Sequence, residues 1–151
     1  MNAFVAAGAG FLIAVLWFDL MFDVQTRRQV DDPLPSEVLT SISAYYRRVT
    51  IEAYPMNRLV AVVMLLTLLA IIIEIFQNAD HWWTTWISLA AAASAITLAR
   101  VRTVPNAMRL GRAADSPTEQ TRLARAIYRD HVYCLAAIIV LLVLQLGVPQ
   151  F

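Results

Sequence analysis

The sequence predicts an all-α integral membrane protein: a four-helix bundle with a short amphipathic interfacial helix in the first cytoplasmic loop. Three observations predict it. Of 151 residues, 60% are apolar and 15% charged, with mean hydropathy +0.61; a soluble domain averages about 45–50% and about 25%. The apolar excess lies in four separate blocks. All 12 basic residues are arginine, and they crowd the first and third loops and their flanks. Together these exclude a disordered chain, a disulfide scaffold and an ordinary soluble enzyme. A net charge of +1 supplies no global field to attract nucleic acid, which is not expected as a partner.

The first block, about 3–22, carries no charge before Asp19 and no basic residue precedes Arg27. A cleaved signal peptide begins with a positive region, so this stretch reads as a retained transmembrane helix. Pro33 and Pro35 then break the chain. Over about 36–52, Val38, Leu39, Ile42, Tyr45 and Val49 recur at helical spacing, which predicts an amphipathic helix at the membrane surface. The second block, about 56–76, is interrupted only by Arg58 and Glu74. The third, about 83–101, opens at the tryptophans Trp82, Trp83 and Trp86, whose amphipathic rings suit the outer membrane interface, and ends before Pro105-Asn106. The fourth helix, about 117–146, begins at Ser116-Pro117-Thr118-Glu119: an N-cap, a proline at the first helical position and a capping-box glutamate. Each block matches the roughly 20 helical residues that cross a hydrocarbon core, and lipid requires backbone groups to be satisfied within the helix. The chain reads as one transmembrane domain, 1–151.

Arginines in loops one and three, and none around Asn78 to His81 or in the tails, place those two loops in the cytoplasm and both termini outside. The expected location is a bacterial inner membrane. Small residues gather at Ala6 to Gly10 and at Ala90 to Ala95, where they allow helix backbones to approach within the bundle, or between copies. Arg122, Arg125 and Arg129 form a stripe suited to anionic lipid headgroups.

Four antiparallel helices bring scattered polar residues to the cytoplasmic mouth. Asp19 and Asp23 lie one turn apart and continue into Arg27, so they either end the helix as an ion-pair ladder or face a polar site in the interior. His131 shares a face with Leu123, Ile127, Cys134 and Ile138, which points it into the bundle as a hydrogen-bonded core residue or a proton-transfer group. His131, Asp19 and Asp23 are the candidate catalytic residues, and Asn57, Arg58, Arg102 and Asn106 the candidate binding residues. Near the outer end Glu74 is expected to meet Gln145, with Thr67 the only polar residue on the way inward. His81 and His131 fall on opposite sides of the membrane and Cys134 is the only cysteine, so one chain cannot give two axial haem histidines or a zinc site of three His/Cys ligands. No Glu-x-x-His pair, Gly-rich phosphate loop, CxxC or Gly-x-Ser-x-Gly occurs. No metal and no cofactor are expected.

Val104-Pro105-Asn106-Ala107-Met108-Arg109-Leu110-Gly111, followed by Arg122 to His131, resembles the anthrone-oxygenase-like family of four-helix membrane proteins. In that family a Val-Pro-x-Asn-like segment ends the third helix and an aromatic-x-x-His-like segment opens the fourth, as Tyr128-Arg129-Asp130-His131 does here. The resemblance implies functional positions at Asn106 and His131. The chain differs in having no tryptophan just before His131 and no arginine just after it.

These features lead to the expectation of a small, largely apolar ligand bound at the cytoplasmic-side site. Oxygenase-like or isomerase-like proton chemistry there would use His131 as base, Asp19 or Asp23 to orient it, and Arg58 or Arg102 to stabilise an oxyanion. The rival expectation is an accessory or assembly subunit of a larger membrane complex, or a homo-oligomer, without chemistry of its own.

Overall fold

In the computed structural model, which describes residues 2–77 and 82–147, the regular elements are all helices. They are α1 (Asn2–Arg28), α2 (Ser36–Arg47), α3 (Met56–Gln77), α4 (Trp82–Leu98), α5 (Val104–Arg112) and α6 (Pro117–Gly147). Asn78, Asp80 and His81, on which the second loop and the separation of the histidines rest, lie outside the described residues. Four stretches are long and apolar enough to cross a membrane: Ala3–Arg28, Asn57–Gln77, Trp82–Arg112 and Pro117–Gly147.

The four long helices pack in ring order, with α1 against α3 and α6, and α4 against α3 and α6. Their shared core contains Val5, Ala9, Leu12, Ile71, Ala92, Ala95, Cys134, Ile138 and Leu141. The small residues serve close approach here: a Cβ on Gly8 would overlap the Thr67 hydroxyl of α3. Outward, Phe4, Phe18, Leu65, Leu66, Phe76 and Val143 are exposed. A soluble monomer rarely shows apolar surface on this scale, whereas lipid tails cover it without cost.

The 31 residues of α6 run about 46 Å at 1.5 Å per residue, beyond the roughly 30 Å a bilayer core needs. The surplus builds a second core with α2 and α5: Leu39, Ile42 and Tyr46 against Leu110, Leu123, Ala124 and Ile127. The amphipathic segment is helical, as its spacing predicts. Its buried stripe is Leu39, Ile42, Ser43 and Tyr46, and it faces protein. Spacing identifies an apolar face but not its cover, and the overhanging turns of α6 supply that cover.

Two expectations change. The third spanning helix does not end before Pro105; it continues through a π-helical turn, Ala99–Thr103, in which the Val104 amide donates to the Ala99 carbonyl. Pro105 has no N–H and its ring crowds the preceding turn, so a wider turn lets the helix pass. It stops at Ala113, which adopts the left-handed conformation with φ 51°. At the start of α6 the Glu119 amide donates to Ser116 Oγ at 3.4 Å, but the Glu119 carboxylate binds Arg122 and Arg109 rather than closing a capping box. Two strong guanidinium donors outcompete one amide.

Candidate functional site

The two cores meet at a buried polar knot. Asp19 and Asp23 enter it from the last turns of α1, Tyr45 and Tyr46 from α2, and His131 from α6. The Tyr46 hydroxyl donates to Asp23 Oδ1 at 2.6 Å, and Asp23 Oδ2 lies 2.6 Å from His131 Nδ1. One turn up, the Tyr45 hydroxyl donates to Asp19 Oδ1 at 2.7 Å, while Asp19 Oδ2 stands 3.8 Å from His131 Nε2. Asp23 is fully buried and His131 nearly so. A buried carboxylate needs partners of this strength, and Asp23 has one on each oxygen.

The aromatic neighbours hold these donors in place. Tyr45 stacks on Phe22, with centroids 4.0 Å apart and planes 12° apart, and meets Tyr46 edge-on at 5.3 Å. Burial first, then the facing Asp23 and Asp19 charges, push the Tyr46 hydroxyl well above the ordinary tyrosine pKa. Burial and then Asp19 do the same to Tyr45. Both tyrosines therefore stay protonated and act as donors.

An apolar cavity of about 120 Å³ opens beside this knot between α1, α3, α4 and α6. Its walls include Leu12, Leu16, Val60, Met64, Ala95 and Ile138, and its polar groups are Asp19, His131, Thr103 and Cys134. The volume is below the roughly 300 Å³ that encloses a drug-sized ligand, so it suits a compact molecule or one end of a longer one. Nδ1 of His131 lies against Asp23, and Nε2 stands 3.8 Å from Asp19, which shares the cavity wall with His131. A carboxylate that fixes the tautomer of an imidazole in this way prepares the other nitrogen to take a proton.

Of the three expected catalytic residues, Asp19 and His131 line the cavity, and Asp23 stands behind the ring and orients it. The ladder from Asp19 and Asp23 to Arg27 is not formed; both acids turn inward to hydroxyl and imidazole partners. The four expected binding residues are not on the cavity wall. Asn57 donates weakly to the Thr50 carbonyl at 3.5 Å, and Arg58 lies over the Tyr54 ring at 4.8 Å. Arg102 pairs with buried Asp130 at 3.2 Å, and Asn106 is half-buried on α5. Neither arginine lines the cavity. Among the described residues, no group of three or more His, Cys, Asp or Glu side chains is placed to hold a metal ion.

Sequence reasoning missed Tyr46 and Thr103. Tyr46 follows Leu39, Ile42 and Ser43 at helical spacing, and a tyrosine in a buried stripe needs an acceptor, so the signal was present. Thr103 gave none; the π turn aims it at Asp130 and the Leu98 carbonyl. At the opposite end Gln145 Nε2 donates to Glu74 Oε2 and to Ser88 Oγ, both at 3.3 Å, so the expected Glu74–Gln145 pair is present.

No known family model matches the chain, and no curated protein or solved structure shows significant similarity to it.

Proposed function

We propose that this is an integral membrane protein, with both termini outside the cytoplasm, that admits a small and largely apolar molecule to the cavity and takes a proton from it. Nε2 of His131 is the base. Asp23 holds the tautomer that leaves Nε2 unprotonated, and Asp19 stabilises the imidazolium that forms. The exposed apolar faces of the long helices and the clustering of arginines at one end support the membrane setting and its orientation. The resemblance of Tyr128 to His131 to the anthrone-oxygenase-like pattern supports the same role for His131. The single observation that carries the reading is the 2.6 Å contact between Asp23 and His131 at the polar corner of an otherwise apolar cavity.

The test starts from protein extracted gently from its own membrane at native abundance and weighed by native mass spectrometry. The expected mass is one or a few copies of the chain plus a small non-lipid adduct. Turnover of that adduct should vanish in His131→Gln and His131→Ala, with helical content unchanged. A mass dominated by other polypeptides, with no adduct, would instead identify an accessory subunit; full turnover in both variants would remove His131 from the chemistry.

A further inference from the structure

A second concavity lies on the other side of α6 and shares no lining residue with the cavity. It is a groove of about 570 Å³ between the end of α1 and the first turns of α6, lined by Arg27, Arg122, Arg125, Arg129, Tyr128 and Thr118 among others. Arg122, Arg125 and Arg129 follow one another at spacings of three and four and so share one helix face, with Arg27 opposite.

Four guanidinium groups line this groove against two carboxylates, Asp32 and Glu119. Those acids are already committed. Glu119 holds Arg122 through both oxygens, at 2.8 and 2.7 Å, and also receives Arg109 at 3.1 Å. Arg125 donates to the Asp31 carbonyl at 2.8 Å and stands 3.9 Å from Asp32. Arg27 and Arg129 make no ion pair among the described residues, and both are exposed. Two unneutralised forks therefore line a groove whose other two arginines are already paired.

We propose that this groove is a binding site for a phosphate ester, with Arg27 and Arg129 as the principal ligands and Arg125 and Arg122 as flanking groups. A phosphate ester's non-bridging oxygens accept from two guanidinium forks at once, and it carries up to two negative charges against the two unpaired arginines. The groove's size matches a whole headgroup or a small phosphorylated metabolite. The ester can belong to a lipid or to a soluble molecule.

The test follows the Nε–H resonances of ¹⁵N-arginine-labelled protein in phosphatidylcholine nanodiscs. Inorganic phosphate is titrated in one arm, and phosphatidic acid replaces part of the lipid in the other. Saturable shifts of the Arg27 and Arg129 signals with inorganic phosphate indicate a soluble ester; shifts only with phosphatidic acid indicate a headgroup. Either supports the site. In Arg27→Gln/Arg129→Gln the affinity should fall by at least about tenfold, the weight of one or two charged hydrogen bonds. No shift with either probe, or equal binding by the double variant, overturns it. Both positions are exposed, so the variant keeps the fold, and neither result bears on the His131 cavity.

Discussion

Asp23 and His131, 108 residues apart in sequence, meet with Oδ2 2.6 Å from Nδ1, and this contact joins the first long helix to the last at the boundary of the two hydrophobic cores. Tyr46 closes the other carboxylate oxygen. The arrangement is a linear relay of hydroxyl, carboxylate and imidazole that ends at an apolar cavity.

Replacing Asp23 with Asn should reverse the ring. The asparagine amide can donate to Nδ1, so the neutral imidazole would carry its proton on Nε2 and lose its acceptor toward the cavity. Imidazole ¹⁵N shifts report this directly: Nδ1–H in the parent, Nε2–H in Asp23→Asn. Wherever turnover can be followed, the loss should be about 10⁴-fold, as for a mis-set tautomer in a catalytic triad. An unchanged tautomer would show that Asp23 does not orient the ring.

Removing the hydroxyls one at a time separates structure from surface. Tyr46→Phe leaves Asp23 Oδ1 buried without a partner and should cost about 1–3 kcal/mol in unfolding experiments. Tyr45→Phe keeps the stacking on Phe22 and bares an oxygen beside the cavity, for about 0.5–1.5 kcal/mol. Equal small losses would contradict the central place given to Tyr46.

Both tyrosines bind their protons more tightly in the folded protein than in the unfolded chain, whose tyrosines ionise near pH 10. Their contribution to stability is thus fully present below about pH 10 and is lost as the pH rises above it. In an alkaline titration, their tyrosinate absorbance, taken as the difference from Tyr45→Phe/Tyr46→Phe, should rise only together with loss of helical circular dichroism. Absorbance that rises while the helices persist would mean the pair is accessible to hydroxide.

Two glycines test the packing. A Cβ on Gly111 would sit 2.7 Å from the Arg47 amide nitrogen and 3.0 Å from the Tyr46 carbonyl carbon, both backbone atoms that cannot turn aside. Gly111→Ala should therefore push α2 from α5 and cost about 1–3 kcal/mol, displacing Tyr46 from Asp23. At Gly8 the obstacle is the Thr67 hydroxyl, which can rotate by giving up its bond to the Val63 carbonyl. That loss is offset by the helix preference for alanine over glycine, about 1 kcal/mol. Gly8→Ala should be near neutral by the same thermal melts, and a larger loss there than at Gly111 would reverse this account.

The four long apolar helices, the start of α6 at Ser116-Pro117 and the inward face of His131 were all legible in the sequence. Each rests on local properties: the length of an apolar run, a capping pattern, the 3.6-residue period. The gathering of Asp19, Asp23 and His131 at one end followed from antiparallel connection alone. What the tertiary structure decided was partnership. Asp23 had Arg27 one turn away yet binds Tyr46 and His131, because α1 turns that face to the interior and Arg27 to the groove. Arg58 and Arg102 were chemically suitable for the cavity but lie off its wall, beside Tyr54 and Asp130. The amphipathic stripe of α2 was visible, but its cover is supplied by the first turns of α6, through Leu123, Ala124 and Ile127. Hydrogen bonds and ion pairs choose by distance among equivalent groups, and those distances exist only once the helices have packed.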